Sequence, residues 1–399
     1  AEQALAANDL AAAVRLAGRA VDAGAEPVAR GTARAVQAEA HRWRSEFAEA
    51  LRFADEAMTL LPPSDPRWHG AAAVAAASAG NLGLHERLVA LAEQLLGLER
   101  MATPAGALAC AVQLFYAGRT ELAAALIDRI EQQFGARSGF ERDLIYGRGR
   151  AAFARGDMAG YLRSLGDLVG AHEAAGDLRN ACQARGNLGY ASAMVGRYAA
   201  AEEHLRRAIA DAERIGLPYL SVGARLNLAL ALAERGQHAE AERLARACLE
   251  FYTARALPRL AGFTRAYLAL IMLRAGRAVE AEAEARAATG QDAAPSARAY
   301  GLALLATALL AQGRATEARA AAIEAVALGE SLGTLEEGDG QIRLADVETR
   351  RAVGDAEGAA GVQAEARRRL LATADRFEDA DVRRSFLEQV PAHASLLAF

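Results

Sequence analysis

The sequence predicts an all-α protein built from about ten consecutive helical pairs, each made of a first helix, a tight turn and a second helix. Three observations predict this fold class. The composition is dominated by the helix-favouring residues Ala, Leu, Arg and Glu, and the β-branched residues of strands are scarce. Small and apolar residues recur with a period of 40 residues between 187 and 288. Glycine and proline mark two different kinds of junction between the helices.

The 40-residue repeat is visible when three stretches of the chain are aligned at that spacing. The first stretch holds Asn187, Leu188, Gly189, Gly196, Tyr198, Ala201, Leu205 and Ala208. The second holds Asn227, Leu228, Ala229, Gly236, His238, Ala241, Ala245 and Cys248, and the third Tyr267, Leu268, Ala269, Gly276, Ala278, Ala281, Ala285 and Ala288. Because the same kinds of residue return in the same order, the three stretches are predicted to have the same structure.

Glycine is predicted to form the turn within each pair, since it tolerates the left-handed conformation that ends a helix. The predicted turn residues are Gly80, Gly118, Gly156, Gly196, Gly236, Gly276, Gly313 and Gly354, with Asn8 and Ser45 in the equivalent places near the start. Proline marks the junction between one pair and the next, where a missing N–H costs nothing at a helix start. These prolines are Pro27, Pro62, Pro63, Pro66, Pro104, Pro218, Pro258 and Pro295. Junctions without proline contain Gly135 and Gly139, Gly176, or the glycines of residues 333–340.

The small residues Gly189, Ala201 and Ala208 are predicted to be the points where the two helices of a pair approach closely. Together with the Leu188-Gly189 pair and the Gly196-x-Tyr198 turn, they resemble the tetratricopeptide repeat. The resemblance covers nearly the whole chain and implies a right-handed αα-superhelix. The repeats are longer than the family's, and its first-helix Trp is absent. HEAT and armadillo repeats share the longer period and are the alternative, but they lack this Gly-x-aromatic turn.

The two ends of the chain differ from the repeats between them. Residues 1–375 are predicted to form the repeat solenoid, with a first repeat that has a full second helix, Leu10 to Val21, but only a stub of a first helix. Residues 376–399 are predicted to form a C-terminal capping helix. In that helix Phe386, Leu387 and Val390 would pack on the last pair, and Arg383, Arg384 and Glu388 would face water. The segment resembles the closing helix of repeat arms attached to bacterial signalling ATPases and Ser/Thr kinases.

The residue types present exclude several classes of chemistry. All 46 basic residues are Arg, so P-loops, Schiff-base enzymes and complete protein-kinase domains, which need Lys, are excluded. The net charge of −4 and the lack of a basic run argue against nucleic-acid binding. No metal-site spacing or catalytic motif is found, so we expect no metal, no cofactor and no catalytic residue. Cys110, Cys182 and Cys248 lack CxxC spacing and are expected to be core residues in a reducing compartment. Without an export or membrane signal, the expected location is the cytoplasm.

A ladder of polar residues on the first helices forms the candidate binding site. In proteins of this kind the first helices line the concave surface, where a core role does not explain polar side chains. The ladder consists of Arg185, Asn187, Arg225, Asn227, Arg265 and Tyr267. Tyr190 and Met194 would supply an apolar wall, although a core role is favoured for each. Asn can bond a peptide backbone and Arg can hold a carboxylate with two hydrogen bonds. The alternative is that these side chains bind neighbouring repeats and hold the stack in register.

Three hypotheses for the function follow from the sequence. The first is a non-enzymatic module that binds a protein or peptide segment in the concave groove. The second is a sensor arm of a larger bacterial signalling ATPase or Ser/Thr kinase, whose partners would be other domains of the same polypeptide. The third, a helical enzyme, has the least support, because no catalytic pattern is present.

Overall fold

The computed structural model of the chain describes residues 1–135, 139–290, 293–332, 335 and 337–398. These residues form two compact units. The first unit consists of residues 1–151 and 213–219, and the second of residues 152–212 and 220–399. The described residues form 22 α-helices and contain no strand. An all-α fold is therefore confirmed, and the helices make ten consecutive pairs followed by two short C-terminal helices.

The helices are numbered in chain order, so that odd numbers up to α19 denote the first helix of a pair. The first helices are α1 (Glu2–Ala6), α3 (Pro27–Trp43), α5 (Pro66–Leu82), α7 (Ala105–Tyr116), α9 (Glu141–Ala154), α11 (Leu178–Met194), α13 (Pro218–Glu234), α15 (Pro258–Arg274), α17 (Pro295–Ala311) and α19 (Asp339–Ala352). The second helices are α2 (Leu10–Asp22), α4 (Phe47–Leu60), α6 (His85–Leu96), α8 (Thr120–Phe134), α10 (Met158–Ala174), α12 (Tyr198–Arg214), α14 (His238–Ala254), α16 (Ala278–Ala288), α18 (Ala315–Leu332) and α20 (Ala356–Ala374). The chain ends with α21 (Ala380–Glu388) and α22 (Pro391–Leu397).

Proline and glycine lie where the sequence predicts them, with one exception. Five first helices begin at a proline, namely Pro27, Pro66, Pro218, Pro258 and Pro295. The turns within pairs contain residues of positive φ, which include Asn8, Ser45 and seven of the predicted glycines. The prediction for Gly80 is wrong, because this residue lies inside α5 and the turn is made by Gly83 at φ 74°. Gly80 is instead in close contact with Gln113, whose side chain occupies the space that a β-carbon would need. Residues 333, 334 and 336 of the last predicted junction lie outside the described part of the chain.

The core of the first unit is formed by large apolar side chains from successive helices. Trp68, Leu88, Leu91 and Phe134 are almost fully buried there, among many alanines. The indole N–H of Trp68 donates a hydrogen bond to the backbone oxygen of Met58 at 3.1 Å, so its one polar atom is satisfied. Helix α7, Ala105–Tyr116, is largely buried in the same core.

In the second unit, the predicted close contact within α11 and α12 is confirmed. A β-carbon placed on Gly189 would lie 2.5 Å from Cγ of Leu205 and 3.3 Å from the backbone oxygen of Ala201. Ala201 and Ala208 are fully buried in the same pair. The helices approach closely because a side chain is missing at this point, and a larger residue would force them apart.

A regular series of ion pairs runs along the second helices of the second unit. Glu202, Glu242 and Glu282 each accept a hydrogen bond from the Arg four residues later, at 2.7 to 3.0 Å. Each also pairs with an Arg from the following helical pair, which is Arg235, Arg277 and Arg314 respectively. These ion pairs therefore stabilise single helices and also link neighbouring repeats.

The last residues form two short helices rather than one, because Pro391 begins a new helix. Phe386 packs with Ala374 and Phe377 at the end of the last helical pair. The same cluster contains Ala159 and Val195, which lie near the start of the second unit. The C-terminal segment thus contacts the last pair, as predicted, and also an early pair of its own unit, which the sequence did not predict.

A candidate ligand cavity in the second unit

The second unit contains a partly open cavity of about 600 Å³. The first helices supply one side of it, and we call their cavity-facing surface the inner face. The residues on the inner face are Ala193 and Met194 of α11, Leu230 and Glu234 of α13, Tyr267, Leu270 and Arg274 of α15, Tyr300 of α17, and Gln341 and Arg343 of α19. The other walls come from the turn before α10, the first residues of α10 and α12, helix α20 with the segment after it, and the C-terminal segment. Their residues are Arg155; Met158 and Tyr198; Arg369, Leu370, Thr373 and Arg376; and Phe386, Val390 and His393. A cavity of this size, with apolar walls and a few polar groups, has the usual character of a ligand site.

The inner face follows the 40-residue period of the chain. Leu230 and Leu270 occupy the same position in successive repeats, and Met194, Glu234 and Arg274 occupy the position one helical turn later. Residues four apart lie on the same face of a helix, so both positions point the same way in each repeat. The second position faces the cavity in all three repeats, and its residue type differs from repeat to repeat. The first position faces it at Leu230 and Leu270 but not at Tyr190.

Glu234 and Arg274 form a bidentate ion pair across two neighbouring repeats. Nε and Nη2 of Arg274 each donate to a carboxylate oxygen of Glu234 at 2.9 Å. Burial works against the charge of Arg274, but the hydrogen bonds and the charge of Glu234 outweigh it and raise the pKa of the guanidinium. Burial, with the nearby Glu234, also raises the pKa of Tyr198. This tyrosine is therefore a neutral hydrogen-bonding group at the cavity wall.

A second polar group of the cavity is formed by Glu337 and two tyrosines. The hydroxyl of Tyr267 donates a hydrogen bond to the carboxylate of Glu337, which is buried. Gly338 has a φ of 87°, and a β-carbon there would lie 2.6 Å from the ring of Tyr300. Burial, followed by the charge of Glu337, raises the pKa of Tyr300. The backbone before α19 can thus pass directly over the Tyr300 ring only because residue 338 lacks a side chain.

Two arginines, Arg155 and Arg376, bring positive charge to the cavity. Nη1 of Arg376 donates to the backbone oxygen of Arg155 at 3.3 Å, so the two residues are neighbours. Neither guanidinium forms an ion pair within the described residues, whereas Arg343 pairs with Asp339 and Arg369 with Glu365. His393 adds no charge at neutral pH, because burial lowers its pKa while its Nδ1–H donates to the backbone oxygen of Phe386. This part of the cavity wall is therefore suited to an anionic group.

Comparisons with known proteins identify the type of repeat. A model of the tetratricopeptide repeat matches residues 182–215 and 222–255. These helical pairs are tetratricopeptide-type repeats. The fold is similar to that of a Rap protein complexed with competence and sporulation factor, at 12% identity, with 92% of this chain and 98% of that chain covered and a TM-score of 0.58. It is also similar to a chain of the APC/C hetero-tetramer Cut9–Hcn1, at 12% identity, with 93% and 74% covered and a TM-score of 0.50. No curated protein matches the chain in sequence.

The tetratricopeptide-type repeats place the residues of the predicted ladder in different environments. Tyr267 lines the cavity. Arg185 is buried and forms ion pairs with Asp211, at 2.7 Å, and with Glu173. Arg265 is half-buried, and its Nη1 lies 3.1 Å from the Glu284 carboxylate.

The other members of the predicted ladder lie outside the cavity wall. Tyr190 is buried, and Asn187, Arg225 and Asn227 are half-buried. None of these four lines the cavity. Met194, which the sequence offered as an apolar wall, does line it.

Sequence reasoning missed several polar residues of the cavity. Glu234 and Arg274 were available from the sequence, because they lie 40 residues apart at the position of Met194 and carry opposite charges. Tyr300 and Arg376 gave no such signal, since no repeated pattern in the sequence places them beside α15. They reach the cavity only through the packing of α17 and the C-terminal segment.

Other classes of site are not found in the described residues. No group of three or more His, Cys, Asp and Glu side chains there is arranged to hold a metal ion. The three cysteines are buried thiols, and burial raises the pKa of Cys110 and of Cys248 to about 12. None of the helices described combines the length and the hydropathy that a membrane span requires.

Proposed function

We propose that the second unit is a non-enzymatic binding module that takes a short peptide segment of a protein partner into its cavity. The observation that carries this proposal is the cavity of about 600 Å³ on the inner face, where five successive tetratricopeptide-type first helices each contribute side chains. Ligand cavities usually measure roughly 300–1,000 Å³ and combine apolar walls with a few polar groups. A protein of similar fold, the Rap protein, has been described in complex with competence and sporulation factor.

The chemistry of the wall indicates which peptide would fit. Met194, Leu230 and Leu270 offer an apolar surface for an aliphatic or aromatic side chain. Gln341 and Thr373 offer groups that can bond a peptide backbone. Arg155 and Arg376 lack a carboxylate partner among the described residues and would hold an acidic side chain or a terminal carboxylate. The proposed ligand is therefore a short peptide that carries both an apolar and an anionic group.

The proposal can be tested by selecting peptides from a displayed library of random heptapeptides, with the whole chain as the target. The selected peptides are then synthesised with a fluorescent label, and binding is measured by fluorescence anisotropy. We expect Leu230→Trp to weaken binding by tenfold or more, because the larger side chain fills part of the cavity. Arg376→Gln should weaken the binding of acidic peptides, and much less that of their amide counterparts.

The control variant is Ile323→Trp, which introduces the same residue at a side chain that is 54% exposed on α18. It should leave peptide binding unchanged, and circular dichroism should show equal helicity for all variants. Failure to enrich any peptide would contradict the proposal, as would peptides that bind the Leu230→Trp variant as tightly as the original chain.

The ladder of Arg185, Asn187, Tyr190, Arg225, Asn227, Arg265 and Tyr267 remains a prediction, and the same assay tests it. We propose Tyr267 as the ladder residue that contacts the ligand, because its ring faces the cavity and its hydroxyl already bonds Glu337. Tyr267→Phe should therefore alter peptide affinity while leaving the fold intact. The second hypothesis, a sensor arm of a larger signalling ATPase or kinase, would use the same cavity as its ligand site and also stays a prediction. Location in the cytoplasm stays an expectation from the sequence.

A further inference from the structure

The C-terminal helices α21 and α22 form one wall of the cavity, and α21 also contacts residues near the start of the second unit. Phe386, Val390 and His393 face the cavity. Phe386, together with Val382, also packs on Ala159 and Val195. Met158 and Leu162 are partly buried against this cluster. Because α10 and α11 begin the second unit and α21 and α22 end it, this contact closes the unit around the cavity.

Gly196 shows how closely the C-terminal helices approach. A β-carbon placed on Gly196 would lie 2.7 Å from the backbone oxygen of Ser385 and 2.9 Å from Cβ of Gln389. The equivalent turn glycines of the next two repeats, Gly236 and Gly276, would meet nothing within 4 Å. All three have nearly the same backbone conformation, with φ of 77°, 78° and 75°. Gly196 therefore has a second role, which is to leave room for α21.

Among the residues that the structure describes, the polar contacts between the C-terminal segment and the start of the second unit are exposed. Arg163 and Glu378 form an ion pair at 3.1 Å, with side chains 57% and 85% exposed. The hydroxyl of Tyr198 lies 3.4 Å from the backbone oxygen of Gln389, and Arg376 reaches the backbone oxygen of Arg155 at 3.3 Å. Exposed ion pairs and long hydrogen bonds contribute little to stability. The closure thus depends mainly on a small apolar cluster, and elements held in this way open at low cost.

We propose that α21 is a latch, which opens by leaving α10 and α11 to widen the access to the cavity and closes over the ligand. Helix α22 stays anchored, because Leu396 packs with Val347, Ala359 and Ala366 and its backbone oxygen accepts a hydrogen bond from Gln363 at 3.1 Å. The hinges are the non-helical residues 375–379 and 389–390 on either side of α21. The latch regulates the cavity that the proposed function assigns to a peptide, and in that respect it rests on the proposed function. Its opening is nevertheless a property of the chain alone and can be measured without a ligand.

The three turn glycines provide a matched test. We compare Gly196→Ala with Gly236→Ala and Gly276→Ala in the whole chain. All three introduce the same backbone strain at positive φ, but only the first places a methyl group against α21. Hydrogen exchange followed by mass spectrometry should accelerate about tenfold in residues 380–389 of Gly196→Ala alone.

A thiol placed inside the cavity gives a second readout. Leu270→Cys lines the cavity, and its labelling by a maleimide should be faster in the Gly196→Ala background than in the Gly236→Ala background. The native cysteines provide a low background, because all three are buried. A second variant, Val382→Ser, should open the latch from the other side of the contact, with the exposed Arg384→Ser as its control.

Equal exchange in 380–389 and equal labelling in the Gly196→Ala and Gly236→Ala chains would overturn the latch. If the latch opens as expected but no selected heptapeptide binds, the latch stands and the proposed function fails. If heptapeptides bind but neither they nor Gly196→Ala change exchange in 380–389, the proposed function stands and the latch fails.

Discussion

The outer and inner surfaces of the repeats in the second unit use the same 40-residue period in different ways. On the outer surface the ion-pair positions repeat without change, with Glu202, Glu242 and Glu282 each followed by Arg four residues later. On the inner face the position of Met194 becomes Glu234 and then Arg274.

This difference separates stacking from recognition. Each repeat must contact its neighbours in the same way, so positions that serve the stack keep the same residue. A ligand cavity needs different groups at different places, so positions that face it vary. In this chain the inner positions whose residues vary therefore indicate the candidate site better than the repeated first-helix positions of Arg185 and Asn187.

The largest effect is expected at a position that repeats without change inside the stack. Ala201 is fully buried, and Ala241 and Ala281 occupy the same position in the next repeats. Ala201→Leu should destabilise the chain by about 3 kcal/mol, because the added atoms would force α11 and α12 apart. Urea denaturation measures this change. Ala199→Leu is the control, since residue 199 is exposed and Val279 occupies the equivalent place; equal midpoints for the two variants would show that the repeat frame is misassigned.

The next effect concerns the varied inner position. Glu234→Ala should destabilise the chain by about 2 kcal/mol, because it leaves the largely shielded Arg274 without its bidentate partner. The double variant Glu234→Met/Arg274→Met should recover most of this loss, since Met already occupies the position in the first of the three repeats. Thermal or urea unfolding of the single and double variants provides the measurement. A double variant less stable than Glu234→Ala would mean that the pair itself is needed for the fold.

A smaller effect is expected at Arg185, the ladder residue with the most extensive ion pairs. Arg185→Ala should destabilise the chain by about 1 kcal/mol, because it removes a buried side chain that bonds Asp211 and Glu173. Those two carboxylates stay partly exposed and can be solvated, which limits the loss. Peptide affinity should change less than it does in Leu230→Trp. A variant that folds normally but binds no peptide would indicate that Arg185 takes part in ligand binding.

The smallest effect is a pH dependence on the outer surface. Hydrogen bonds from Arg286, followed by those from Gln312, lower the pKa of Glu282 to about 2, against an ordinary value of about 4.3. A carboxylate whose pKa is lowered in the folded state stabilises it above the unfolded pKa, and this stabilisation is lost as pH falls towards the folded pKa. The stability difference between the original chain and Glu282→Gln should therefore be constant at neutral pH and shrink from about pH 4 downward. Urea midpoints between pH 7 and pH 3 measure it, and a difference that grows on acidification would refute the assignment.

The sequence by itself determined the features that depend on neighbouring residues. Pro218 and Pro258 begin helices because proline fixes φ and has no N–H to satisfy. Gly196, Gly236 and Gly276 end the first helices because they tolerate positive φ. Spacing of four residues likewise sets the outer ion pairs within each helix, because such residues are adjacent on a helix.

Tertiary structure decided the features that join distant residues. Gly80 was mistaken for the turn because Gly83 lies three residues later, and only the contact of Gly80 with Gln113 distinguishes their roles. The same holds for the cavity, where Tyr300 and Arg376 converge although no local pattern links them. It holds too for α21, which packs on Ala159 and Val195 near the start of the same unit. These contacts depend on how each helical pair is rotated against the next, which is set by side-chain packing along the whole unit rather than by any local pattern.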